Sequence, residues 1–202
     1  MVKDAIAFKK LQKIYKDQKV FIIPSSYLDN IDDKFTKHKH DNNIWSKYDS
    51  VGRYIYRYDA ESEPAFKKLI PYFLITNNER TKYYVAKNKE TNKLELGQGK
   101  PIVQDIGSYQ IILKALSNEI FRINVDPTSR AKFIGTIKDN DEEKNSFGLV
   151  FIFTAKENSV SINENTHENL WMSEEELIEN YSKFDNWSKY IIDFIYSQID
   201  RK

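Results

Sequence analysis

The run Phe147-Gly148-Leu149-Val150-Phe151-Ile152-Phe153 constrains this chain more than any other stretch. Seven residues without a polar side chain are too short for a membrane helix. They do not alternate as a half-solvated strand would, so they predict a central strand covered on both faces. Such a strand needs neighbours and two covering layers. The sequence supplies candidates: Phe133-Ile134-Gly135-Thr136-Ile137 before it, and the pair Leu69 to Thr76 and Lys82 to Ala86, separated by a turn at Asn77-Asn78, which is a hairpin pattern. Val20-Phe21-Ile22-Ile23, ended by Pro24-Ser25-Ser26, is a further short buried strand.

Helical patterns lie before, between and after these strands. Ala5, Phe8, Leu11, Ile14 and Tyr15 recur at three- and four-residue steps, predicting an amphipathic helix over 5–16 that covers a sheet edge or face. Tyr109, Ile112, Leu113, Leu116 and Ile120 trace one helical face over 109–121. Ser173 with Glu176 three residues on is a capping box, opening a helix that runs to about Tyr181. Trp187, Tyr190, Ile191, Phe194 and Ile195 mark the last helix. Strands among helices predict an α/β (α+β) fold with both sheet faces covered. Asp29 to Ser50 is polar and reads as a loop; His38 and His40 within it are expected to be solvated rather than metal ligands.

Composition narrows function. Thirty-one Lys+Arg against thirty Asp+Glu leave a net charge of +1, so no overall field gathers nucleic acid or an anionic membrane, and neither is expected as a partner. With no cysteine, disulfides, thiolate metal sites and cysteine nucleophiles are excluded. No run approaches the roughly 18–20 apolar residues of a membrane span, and the lysine-broken N-terminus lacks a signal-peptide pattern, so a cytoplasmic location is expected. No serine-hydrolase, zinc-protease or phosphate-loop motif is found.

Three segments, EPAFKKLIPYFLITNN (63–78), FIGTIKDNDEEKNSFGLVFIF (133–153) and ENLWMSEEELIENYSKFDNWSKYIIDF (168–194), with Lys19 to Pro24 near the start, resemble in order and spacing the phosphoesterase branch of the Nudix superfamily. The resemblance implies a Nudix-like mixed β-sheet sandwiched between helices, with an N-terminal extension and two C-terminal helices. Residues 1–62 would form an N-terminal helix, strand and polar loop packed on the same domain, and 63–202 the Nudix-like domain.

Nudix enzymes cleave nucleoside diphosphate derivatives with the pattern G-x5-E-x7-R-E-U-x-E-E-x-G-U, whose glutamates share a helical face and hold Mg²⁺ or Mn²⁺. Laid over this chain, the pattern puts Lys100 at the opening glycine, Ile106 at the upstream glutamate, Lys114 at the arginine, and Ala115 and Asn118 at two ligand positions. Glu119 is the one motif carboxylate retained, and a lone carboxylate holds a divalent cation poorly.

The resemblance therefore implies a Nudix-fold protein with a degraded metal motif, a nucleotide-type ligand-binding or interaction domain with weak or no hydrolase activity. The alternative is a metal-dependent hydrolase of nucleoside diphosphate derivatives with a rearranged site. There, Glu119 is the metal ligand and Asp105 a further catalytic acid. More distant donors are Asp139, Asp141, Glu142, Glu143 or Glu174 to Glu176, although Asp139 to Glu143 also fits a solvated turn and the glutamate trio a helix first turn. No cofactor is certain; Mg²⁺ or Mn²⁺ is expected only if the chain is active. For a nucleoside diphosphate derivative or other small phosphorylated ligand, an aromatic residue would stack on the base, and Lys114, Lys100, Arg57 and Lys67 are the basic candidates. A protein partner is the remaining expectation, met by the 29–50 loop with Tyr48, Tyr54, Tyr56 and Tyr58; the last three alternate as on a strand face.

Overall fold

The uniformly apolar run does lie at the centre of a mixed sheet. In the computed structural model, which describes residues 2–32, 34–38, 44–103, 121–123, 131–139, 145–162 and 164–199, it belongs to strand β10 (Ser146–Ala155). β10 runs parallel to β4 (Phe66–Asn77) along one edge and antiparallel to β9 (Lys132–Lys138) along the other. The long β4 then takes partners in succession along its free edge: β1 (Lys19–Pro24), β7 (Gly97–Gly99) and β5 (Tyr83–Asn88). β3 (Arg53–Tyr56) extends the sheet from β1, β6 (Leu94–Glu95) and β12 (His167–Met172) from β5, and β2 (Lys34–Lys37) from β9. A separate short pair joins β8 (Arg122–Ile123) to β11 (Val160–Ser161).

Alternation along these strands builds two apolar layers. Leu69, Phe73, Ile75, Phe147, Leu149, Phe151 and Phe153 form one, joined by Ile44 and Tyr48 of helix α2 (Ile44–Asp49) and by Ile102 and Phe121. Tyr72, Leu74 and Val150 form the other. It is covered by Leu177 of α4 (Glu174–Glu179) and by Trp187, Ile191 and Ile192 of α5 (Asn186–Ile199). The predicted capping box opens α4: the Ser173 hydroxyl accepts from the Glu176 amide, and the Glu176 carboxylate accepts from the Ser173 amide. Gly148 makes room for Trp187, because a Cβ there would lie 2.9 Å from the indole.

Four sequence expectations are corrected. The segment 29–50 is not all loop: Phe35 turns β2 onto Phe194, with ring centroids 4.7 Å apart, and α2 buries Ile44 and Tyr48. Helix α1 (Val2–Tyr15) packs chiefly on helix α3 (Arg57–Ser62), not on the sheet; Phe8 meets Tyr58 edge-on at 5.6 Å, and Ile6 and Ile14 stay exposed. Tyr58 is on α3, so the strand alternation ends at Tyr56, and the two rings stack at 5.2 Å. His38 is not simply solvated, since its Nε2 lies 3.0 Å from the Thr136 hydroxyl; His40 is outside the described residues. No helix among the described residues is long and apolar enough to cross a membrane.

The buried phenols make the fold sensitive to alkali. Burial pushes Tyr48 and Tyr83 up to about 12 and also raises Tyr72 and Tyr84. A group held above its ordinary value of 10.0 contributes stability that is complete below pH 10 and is lost as pH rises toward the folded-state value. Urea unfolding should therefore show stability falling steeply between about pH 10 and 12, in step with tyrosinate absorbance. The Tyr48 hydroxyl is buried without a hydrogen-bond partner among the described residues, so Tyr48→Phe should raise stability by about 1 kcal/mol at neutral pH and make the alkaline decline shallower.

Candidate functional site

A cleft of about 360 Å³ opens where β4 begins, on the layer covered by α5. Strand alternation directs Lys68, Ile70 and Tyr72 into it, and β7 delivers Gly99 and Pro101 to its rim. The glycines of β7 permit this close approach: a Cβ at Gly97 would lie 2.3 Å from the Tyr72 ring, and one at Gly99 would lie 2.7 Å from the Pro71 carbonyl oxygen. Trp187 forms the opposite wall, edge-on to Tyr72 with centroids 5.3 Å apart. Asp185 precedes α5 and caps it, its carboxylate accepting from the Ser188 amide at 3.0 Å.

The cleft lining carries the carboxylate of Asp185 together with two cations, Arg57 and Lys68, that are both paired to Glu61. Glu61 on α3 accepts from Arg57 Nε at 3.3 Å and from Lys68 Nζ. Arg57 also donates to Gln18 Oε1 at 2.9 Å, and its guanidinium lies 4.2 Å from the Tyr15 ring centroid, so the same residue ties α1 to the body. The Lys68 side chain is 7% exposed. Burial lowers its pKa, opposed by the hydrogen bond and charge of Glu61. Two cations thus share one anion beside an aromatic wall, and the indole N–H of Trp187 is buried without an acceptor among the described residues. Such a site can take an anionic group at Arg57 and Lys68 and a flat apolar group against Tyr72 and Trp187.

Arg57 lines the cleft as a basic candidate; Lys100 is exposed between the lining residues Gly99 and Pro101 but does not itself line the cleft. Lys67 does not line it. On a strand, adjacent residues point to opposite faces, so Lys67, opposite Ile23 of β1, is directed away while Lys68 enters. Lys68 is not among the basic candidates of the sequence; the usable signal is that it shares strand parity with Ile70 and Tyr72. Glu119, Asp105 and Lys114 lie outside the described residues, as do Asp141, Glu142 and Glu143.

Among the described residues, no three His, Asp or Glu side chains gather where they could hold a metal ion. Glu174 accepts from the Tyr83 hydroxyl at 3.4 Å, and Glu175 and Glu176 are engaged by Ser173. The Glu175 pKa is lowered by its own backbone N–H and by Ser173. Asp139 is buried at the end of β9, with Tyr190 at 3.4 Å, which corrects its assignment to a solvated turn. Tyr48 is fully buried, and Tyr54 packs edge-on to Phe21 at 5.2 Å.

The architecture, a large mixed sheet between helical layers, is a Nudix-like fold. It superposes on the crystal structure of Tm1382, a candidate Nudix hydrolase, with a TM-score of 0.76 and 19% identity, covering 89% of this chain and 99% of that one. DR0079 from Deinococcus radiodurans aligns with a TM-score of 0.52 and 15% identity over 72% of this chain and 92% of that one. In sequence, protein YmaB of Bacillus subtilis (strain 168) is 25% identical over 169 residues, covering 75% of this chain and 82% of that protein. No family model matches.

Proposed function

We propose that this chain is a Nudix-fold protein with a degraded metal motif that binds a nucleotide-type ligand, a nucleoside diphosphate derivative or a related small phosphorylated molecule, with weak or no hydrolase activity. The carrying observation is the cleft itself, which sets Arg57 and Lys68 across from Tyr72 and Trp187. Phosphates meet the two cations, with Lys100 and Lys114 as further basic groups, and the base lies against the aromatic wall. The motif segment supports reduced catalysis: between Asp105 and Asp126 the sequence holds a single acid, Glu119. If turnover persists, Glu119 and Asp105 are its residues, with Mg²⁺ or Mn²⁺ held by Glu119 and acids from later loops; this is the alternative of a rearranged hydrolase, in line with the designation of Tm1382 as a candidate Nudix hydrolase.

Calorimetry with an ADP-linked sugar in chelator-treated buffer tests the binding claim. Binding should survive without divalent metal, and Arg57→Ala should weaken it about tenfold, as expected for loss of one charge-assisted contact. Absence of heat without metal, or equal affinity in Arg57→Ala, would overturn it.

A further inference from the structure

The opposite end of β4 carries a second cavity, of about 460 Å³, between the carboxyl ends of the parallel strands β4 and β10. Thr76 and Thr154 stand in register there, with Ile152 beside them, Tyr83 from β5, Lys132 from β9 and Arg80 from the β4–β5 turn. Tyr72, the β4 residue of the Arg57 cleft nearest to it, is four positions from Thr76 and Lys68 is eight, so roughly 13 Å and 26 Å of strand separate them at about 3.3 Å per residue.

Three features point to a ligand. Among the described residues, the lining contains two cations and no carboxylate, and neither Arg80 nor Lys132 forms an ion pair. Thr76 is 3% exposed, and its hydroxyl is buried without a hydrogen-bond partner among the described residues. Unpaired buried hydroxyls are uncommon because they forfeit their hydration. Arg80 is held at φ 58°, a left-handed conformation that glycine or asparagine adopts at less cost.

Asn77 imposes that turn. Its side-chain oxygen accepts from the amides of Thr81 and Lys82 at 2.8 and 3.1 Å, while the Arg80 amide donates to its carbonyl oxygen at 3.0 Å. Two local costs, a strained arginine and an unpaired threonine, therefore fall on one cavity, a pattern typical of binding sites.

We propose that this cavity is a second ligand site, taking a small molecule with a phosphate monoester on an apolar body. The dianionic group meets Arg80 and Lys132, the Thr76 hydroxyl supplies a hydrogen bond, and the apolar body lies against Ile152, Phe153 and the Tyr83 ring. The site is independent of the nucleotide cleft and of its fate in experiment.

Titration of the full chain with phenyl phosphate, followed by amide resonances, tests the proposal. Saturable shifts are expected at Thr76, Arg80, Tyr83 and Thr154, with inorganic phosphate and benzoate binding more weakly. Arg80→Ala and Lys132→Ala should each weaken, about tenfold, the phenyl phosphate binding that these four amides report. Thr76→Val should raise the melting temperature and lower affinity together, because the hydroxyl is a liability only in the free protein. No saturable shift at these amides at millimolar ligand, or unchanged affinity in both Arg80→Ala and Lys132→Ala, would overturn the proposal.

Discussion

Glu61→Leu is expected to destabilise the protein by about 3–5 kcal/mol, the usual cost of removing one partner from a buried ion pair. Lys68 has almost no contact with water, and Glu61, with a side chain 15% exposed, is its ion-pair partner among the described residues. Without that carboxylate, the ammonium faces the aromatic wall and the Arg57 guanidinium, a like charge that already opposes its protonation. The urea midpoint at neutral pH should fall accordingly. The double substitution Glu61→Leu/Lys68→Met should recover most of the loss, because an apolar pair of similar volume carries no desolvation penalty. The single variant should also regain stability as pH rises and Lys68 neutralises: a lysine with a depressed folded-state pKa penalises the fold most while it is charged. A double variant as unstable as the single one would mean that Glu61 acts through α3 rather than through Lys68.

Trp187→Ala is the second large effect, expected at about 3–5 kcal/mol, which for a chain of this size lowers the melting temperature on the order of 10 °C. The indole is 6% exposed and fills the space left by Gly148, so its removal opens a void between β10 and α5 that neither backbone can close. It also removes the wall facing Tyr72, so ligand affinity should fall with stability. Trp187→Phe separates the two effects by retaining much of the packing while losing the indole N–H; its affinity for an ADP-linked sugar should drop more than its melting temperature suggests. Calorimetry and thermal unfolding on the same samples check both.

The elements whose stabilisation is local or carried in their own composition were legible in the sequence. Phe147 to Phe153 announces a covered strand because both of its faces are apolar, and Ser173 with Glu176 announces a helix start because the box closes within one turn. β2 was not legible. Lys34, Thr36 and Lys37 carry no strand signature of their own, and the strand exists because β9 offers a free edge and Phe194 a surface for Phe35. The helix α2 likewise depends on a distant cavity filled by Ile44 and Tyr48, where Tyr48 meets Phe147 at 5.4 Å.

The cleft divides the same way. Arg57 was found from its setting within the resemblance, but the choice between Lys67 and Lys68 is a question of strand parity, settled by which residues of β4 face α5. Arg57, paired with Glu61 four residues on, also ties the N-terminal segment to the body. That tie exists through Gln18 and Tyr15, and the same arginine also faces the cleft. No periodicity reveals that double role, because it depends on α1, α3 and β4 meeting in space.

The central claim is that binding has outlived efficient hydrolysis, and a direct rate measurement tests it. Wild-type protein and Glu119→Gln are incubated in parallel with Mg²⁺ or Mn²⁺ and a panel of nucleoside diphosphate derivatives, and product release is followed. The expected result is turnover near background and indistinguishable between the two proteins. Turnover on the order of 1 per second or faster, abolished in Glu119→Gln, would contradict it.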